Sequence, residues 1–199
     1  MNQDFIYLAS ASPRRRELLD QIGIRYHTHP VHIDESRLEN EAPPDYVRRV
    51  ALDKARTAWW AVAGKGPRPV LAADTAVVLD GEVFSQPRDR AHALAMLEHL
   101  SGRTHEVLTA VAVKLGAQEE SVLSTSRVSF RELGAAEREA YWRSGEPLGK
   151  AGAYAIQGRA AVFISALQGS YSGVMGLPLF ETARLLEAVG YATCVAQLR

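Results

Sequence analysis

LASASPRRRELL, residues 8 to 19, runs a short apolar strand into a helix whose first turn carries three arginines. Asp4 to Ser10 reads as the strand, Ser12 as the N-cap and Pro13 as the first helical residue, which places Arg14, Arg15 and Arg16 in that turn. The start of a helix is already electropositive, because its first N–H groups lack partners and its peptide dipoles align. Cations there cost at least a few tenths of a kcal/mol, unless an anion is bound. A phosphate-rich ligand resolves the conflict, since guanidinium forks add paired donors to a terminus that already favours anions. The competing reading is that the arginines fan into solvent.

Outward from this unit, strand-like and helix-like segments alternate, which predicts an α/β or α+β architecture around a mixed sheet. Val31 to Pro44 reads as a polar, acidic loop, and Asp45 as the cap of a helix running to about Ala63. Val70 to Asp74 is a short apolar strand, and Ala76 to Leu79 forms a hairpin with Glu82 to Phe84 through Asp80-Gly81. Asp89 opens a helix that Ser101-Gly102 ends. His105 to Leu115 and Ser121 to Phe130 read as paired strands, Ala135 to Ser144 as a polar helix, and Gly145 to Gly158 as a functional loop. Val162 to Leu167, a helix after Pro178 and a strand near Ala192 to Gln197 complete the pattern.

A chain of 199 residues with 47% hydrophobic content can bury a sizeable core and is expected to form a single domain over 1–199. Lys+Arg 23 balances Asp+Glu 23, so no global field favours nucleic acid or an anionic membrane. Without a long apolar run or a signal-like N-terminus, the expectation is a soluble, cytoplasmic protein with no membrane partner. Cys194 is read as a buried strand residue.

Two side chains stand out as polar groups at apolar positions. Lys54 follows Val47, Val50 and Ala51 at helical spacing, so either its stem covers the core edge while the ammonium reaches water, or the amine enters a cleft to meet phosphate. Asp74 ends the apolar run Val70-Leu71-Ala72-Ala73; it could bind a divalent metal, act as a base towards water, or serve as a cap or ion-pair partner. Asp34-Glu35 offers a further carboxylate of the kind Mg²⁺ accepts. His27, His29 and His32 resemble a metal cluster but lack a closely spaced fourth ligand, and tolerated surface histidines explain them as well. His105 reads as a strand start rather than half of a catalytic pair.

LASASPRRRELL, AADTAV at Ala72, SGRTHEVLTAV at Ser101, GEPLGKAGAYAIQG at Gly145 and GSYSGVMGLPL at Gly169, in this order along nearly the whole chain, resemble the Maf family of nucleoside triphosphate pyrophosphatases. Arg14, Thr75 and Gln157 stand where the family's dTTP/UTP subgroup differs from the others. The resemblance implies a fold shared with inosine-triphosphate pyrophosphatases: a mixed curved sheet flanked by helices, with two lobes around a cleft. It also implies a pyrimidine nucleoside triphosphate substrate, a divalent cation (Mg, Mn or Co), a homodimer and a link to arrest of cell division.

The same resemblance assigns Asp74 as the catalytic acidic residue and, with Glu35, a metal ligand, and places Ser10, Arg14, Arg15, Lys54, Thr75, Gln86 and Gln157 against substrate. Two departures matter: Gln86 replaces the family's usual lysine, and Gly149 its usual aspartate before Lys150. Arg88, Arg90 or Lys150 are candidates to replace the missing cation. If they do not, the alternative is a nucleotide-binding regulator of cell division with little turnover.

Overall fold

The computed structural model describes residues 5–193, and its centre is the unbroken strand Val70–Leu79. The sequence reading separates Val70–Asp74 from Ala76–Leu79; the strand instead continues because both faces are covered, so apolar residues occupy odd and even positions alike. In chain order the elements are β1 (Ile6–Leu8), α1 (Pro13–Gln21), β2 (Tyr26–Thr28), α2 (Pro43–Val62), β3 (Val70–Leu79), β4 (Glu82–Phe84), α3 (Arg90–Leu100), β5 (Thr104–Leu115), β6 (Gln118–Phe130), α4 (Ala135–Arg143), β7 (Ile164–Gln168), α5 (Tyr171–Met175) and α6 (Leu179–Ala188).

The seven strands form one open mixed sheet in the order β2-β1-β3-β5-β6-β7, with β4 also paired to β3. β1 runs parallel to β2 and β3, and the other pairings are antiparallel. Val70, Ala72, Ala76 and Val78 face α2, packing against Val47, Ala51, Ala55 and Ala58. Leu71 and Ala73 face the other way, into a core with Leu18 and Leu19 of α1 and Leu186 of α6. Further along that second face, Val77 and Leu79 join Leu97, Phe130, Tyr141 and Phe163 under α3 and α4.

An interruption at one edge of the sheet makes the cleft. β1 pairs only with Val70 and Leu71, whereas β4 pairs only from Val77 onward. Between them, residues 72–76 of β3 have no strand neighbour on that edge among the described residues, and Asp74 and Thr75 lie in this gap. Because successive side chains of a strand alternate, the two point to opposite faces of the sheet.

Several local expectations are corrected. Ser12 precedes α1 but its side chain makes no capping bond; its N–H instead donates to Ser10 Oγ at 3.2 Å. α2 starts at Pro43, two residues before Asp45, since proline fits the first helical position and leaves Asp45 in the first turn. β6 begins at Gln118 because the turn at Gly116, with φ 59°, is tight. Val162 lies in a 3-10 turn, Arg159–Phe163, ahead of β7. Ala192 and Thr193 are not in a strand, and the remainder of the expected last strand, with Cys194, lies outside the described residues. The Asp80-Gly81 hairpin turn and the Asp89 cap, which accepts from His92 N–H at 2.8 Å, stand as read. Among the described residues no helix is long and apolar enough to cross a membrane.

Candidate active site

Lys54 joins two carboxylates that lie far apart in sequence. Its Nζ donates to Asp74 Oδ1 at 2.9 Å and lies 3.0 Å from Glu35 Oε1. The amine reaches Asp74 because α2 packs its small residues directly on β3, so the only large polar side chain on that helix stripe meets the only carboxylate on that strand face. Lys54 and Asp74 are 9% and 7% exposed, enough burial that each charge needs an opposite partner. Glu35 is half exposed and comes from the loop before α2. That loop is fixed by Asp34 Oδ1, which accepts from Ser36 N–H at 2.8 Å, and by Arg49, which donates to Glu41 and to Ser36 C=O. Asp34 therefore shapes the loop, while Glu35 faces the cleft.

The arginines approach from the opposite face. Arg15 donates through Nε to Gly176 C=O at 2.8 Å, through one terminal nitrogen to Ser10 Oγ at 3.1 Å and through the other to Thr75 Oγ1 at 3.4 Å. Arg14 donates through Nε to Met175 C=O at 3.2 Å. Both thus rest on carbonyls at the C-terminal end of α5, where helix carbonyls are left unpaired and cations are favoured. An anion is therefore not the sole answer to the charge at the start of α1. Arg16 is exposed, as the solvent-fan reading expects. Thr75 Oγ1 is also 3.0 Å from Thr109 Oγ1, and Thr109 donates to Gly173 C=O, so the α5 segment is pinned to the middle of the sheet.

Ser10, Arg14, Arg15, Glu35, Lys54, Asp74, Thr75, Gln86 and Gln157 all line one cavity of about 900 Å³. Asp74 is buried in it, Arg15 is partly exposed, and Gln86 and Gln157 are exposed. Burial raises the Asp74 carboxyl above the usual carboxylate range, against the pull of Lys54 and Arg15. Burial likewise lowers Arg15 from its ordinary value, against the attraction of Asp74. Lys150 is lowered by burial and by the nearby charge of Arg14. Of the three residues considered for the missing cation, Lys150 lines the cavity; Arg90 pairs with Glu139 instead, and Arg88 is not in the lining.

Tyr46, Ser85 and Tyr154 also line the cavity and were not singled out in the sequence. Tyr154 had a signal, since it lies within GEPLGKAGAYAIQG, but nothing local told it apart from a core aromatic. His27 and His29 pack with Phe5 and Tyr7, and among the described residues no group of three or more His, Cys, Asp or Glu side chains could hold a metal by itself. His105 is buried in β5 and bonded to Tyr154 Oη at 2.8 Å, outside any catalytic pair.

The family model for Maf-like proteins matches residues 5–189. A relative from Alkalilimnicola ehrlichii, named dTTP/UTP pyrophosphatase, is 56% identical over 185 residues, covering 92% of this chain and 91% of that protein. One of the same name from Methylococcus capsulatus is 54% identical over 192 residues, covering 94% and 92%. Among solved structures, a nucleoside-triphosphatase, dITP/XTP pyrophosphatase, from Mycobacterium abscessus aligns over 92% of this chain and 93% of its own at 18% identity and a TM-score of 0.47, too distant a likeness to bear on the assignment. With a family match over most of its length and relatives above half identity, the chain belongs to the Maf family.

Proposed function

We propose that the chain hydrolyses dTTP and UTP to the nucleoside monophosphate and pyrophosphate. The relatives' names support the substrate class. The observation that carries the reading is the Asp74–Lys54–Glu35 junction facing Arg14 and Arg15 across one cleft, an acid-base group and several cations around a space that fits a nucleotide. Water attacks the α-phosphorus and the bond to the bridging oxygen breaks. Pyrophosphate leaves with the electron pair, and Asp74 takes the water's proton. A carboxylate whose proton affinity is raised by burial suits that task near neutral pH.

Lys54 keeps Asp74 paired and can exchange Glu35 for a phosphate oxygen, because Glu35 is half exposed and free to yield. Arg14 and Arg15 hold the phosphates, oriented beforehand by their carbonyl contacts. The Ser10 hydroxyl accepts from Ser12 N–H and Arg15, so its own hydrogen is directed to a phosphate oxygen. Asp74 and Glu35 are hard oxygen donors that converge on the Lys54 ammonium; a divalent cation of the Mg, Mn or Co type would be held by these two carboxylates and the substrate phosphates, with Lys54 shifting from the place between them. Such an ion supplies, when bound, charge neutralisation and a more acidic water.

Gln157 reads the base. Its amide has no hydrogen-bond partner among the described residues, and its oxygen and NH₂ match the ring N3–H and a carbonyl of uracil or thymine. Cytosine leaves groups unpaired, at about 1–3 kcal/mol each once the bound base excludes water from them. A homodimer acting in arrest of cell division belongs to the same reading and rests on the family resemblance alone. The test is pyrophosphate release from UTP, dTTP, CTP, ATP and GTP, with and without divalent metal, by the parent and by Gln157→Ala. Preference for UTP and dTTP, flattened in the variant, is the expected result; a parent that prefers a purine, or a variant that keeps the parent's ranking, overturns it.

A further inference from the structure

Among the described residues the side chain of Gln157 has no hydrogen-bond partner, so the backbone alone sets the point and direction from which its amide reaches into the cleft. That backbone is fastened on both sides to one pair of side chains. Ahead of Gln157, Ala155 N–H donates to Tyr141 Oη at 3.2 Å, and Tyr141 Oη donates to Glu146 Oε1 at 2.7 Å. After it, Arg159 N–H donates to Glu146 Oε2 at 2.9 Å and Ala160 N–H to Glu146 Oε1 at 3.3 Å. Within the loop, Gly158 N–H closes a turn on Ala155 C=O at 3.0 Å.

Tyr141 is held in the core, and Glu146 lies close against Gly158. Tyr141 is 4% exposed, with its ring edge-on to Phe163 at 5.0 Å. A Cβ on Gly158 would run into the Glu146 carboxylate, which would then have to shift from its N–H partners. Neither residue touches the phosphate end of the cleft, and neither is among the cavity's lining residues.

We infer that Glu146, with Tyr141, is a positioning residue for base selection: its carboxylate gathers the N–H groups after Gln157 while Tyr141 holds the one before it, fixing the turn that aims the Gln157 amide. The inference rests on Gln157 as the base reader. Without the clamp the amide samples several directions, and the ordering cost falls on substrate binding, not on the chemical step. Hydrolysis itself depends on Asp74, Lys54 and the arginines, which belong to other segments.

The experiment compares Glu146→Gln, Tyr141→Phe and Gln157→Ala, and the Glu146→Gln/Gln157→Ala double variant, on dTTP, UTP and CTP. Glu146→Gln keeps the side-chain shape but sets an NH₂ group against a backbone N–H; Tyr141→Phe keeps the ring and removes the hydroxyl. Each is expected to raise KM for dTTP and UTP about tenfold with kcat within about twofold, and to narrow the dTTP-to-CTP ratio of kcat/KM. The double variant is expected to be no worse than Gln157→Ala, because the clamp acts through that amide. If Gln157→Ala flattens the ranking while both clamp variants keep the parent's ranking and lose only thermal stability, the clamp is merely structural and the inference fails. An unchanged ranking in Gln157→Ala instead removes the base reader itself.

Discussion

Asp74→Asn separates the chemical from the structural role of the buried junction. Taking one partner from a buried ion pair costs roughly 3–5 kcal/mol when the other is left alone. Here Lys54 would not be alone, because Glu35 lies 3.0 Å from the same Nζ and an asparagine carbonyl at position 74 can still accept the bond now measured at 2.9 Å. Burial already disfavours the Asp74 charge, so neutralising it also recovers part of the loss. The expected destabilisation is therefore below about 2 kcal/mol. Turnover, by contrast, should fall at least 10²–10⁴-fold, roughly the loss that follows removal of a general base. Single-turnover pyrophosphate release and urea unfolding on the same purified protein measure both quantities. Near-parental turnover refutes Asp74 as the base, and a stability loss of about 4 kcal/mol or more refutes the sharing of Lys54 between two carboxylates.

Other outcomes follow from the same geometry. Arg14→Ala and Arg15→Ala should each weaken binding of a non-hydrolysable triphosphate by about 1.5–3 kcal/mol in calorimetry, and monophosphate binding by less; unchanged affinity in both would return them to a purely structural role. Gln86→Lys should raise kcat/KM by up to about tenfold, less at high salt, and a fall would mean that Lys150 already takes the cation's place. Buried His105 titrates at about 4 against 6.5 when exposed. The unfolded chain therefore takes up this proton first, and about 3 kcal/mol of stability present above pH 6.5 is lost as pH falls towards 4. Urea unfolding across that range should show a shallower acid dependence in His105→Gln, and equal slopes would remove His105 as the cause.

Lys54 and Asp74 were legible because each breaks an apolar pattern, at helical spacing in one case and at the end of an apolar run in the other. That they bind each other was not, since it depends on how closely the alanines of α2 let it approach β3. The three arginines were visible as an anomaly, but the carbonyls of Met175 and Gly176 that support two of them come from a segment 161 residues away. Asp45 misled as a helix start because proline two residues earlier supplies the turn without a side-chain cap. Glu146 and Tyr141 gave no local signal, as an acidic residue in a glycine-bearing loop and an aromatic on a polar helix are both ordinary until the loop folds back.

The alternation at Asp74 and Thr75 ties the site to the alignment of β3 with β5, in which Asp74 lies opposite Ala110 and Thr75 opposite Thr109. Deleting a single residue early in β3 would turn the carboxylate towards α5 and the hydroxyl towards Lys54, so both halves of the cleft would lose their partners together. Strand alignment thus acts as a proofreading condition on the newly made chain: a misaligned molecule, however well its apolar surfaces are covered, has no partial version of this site.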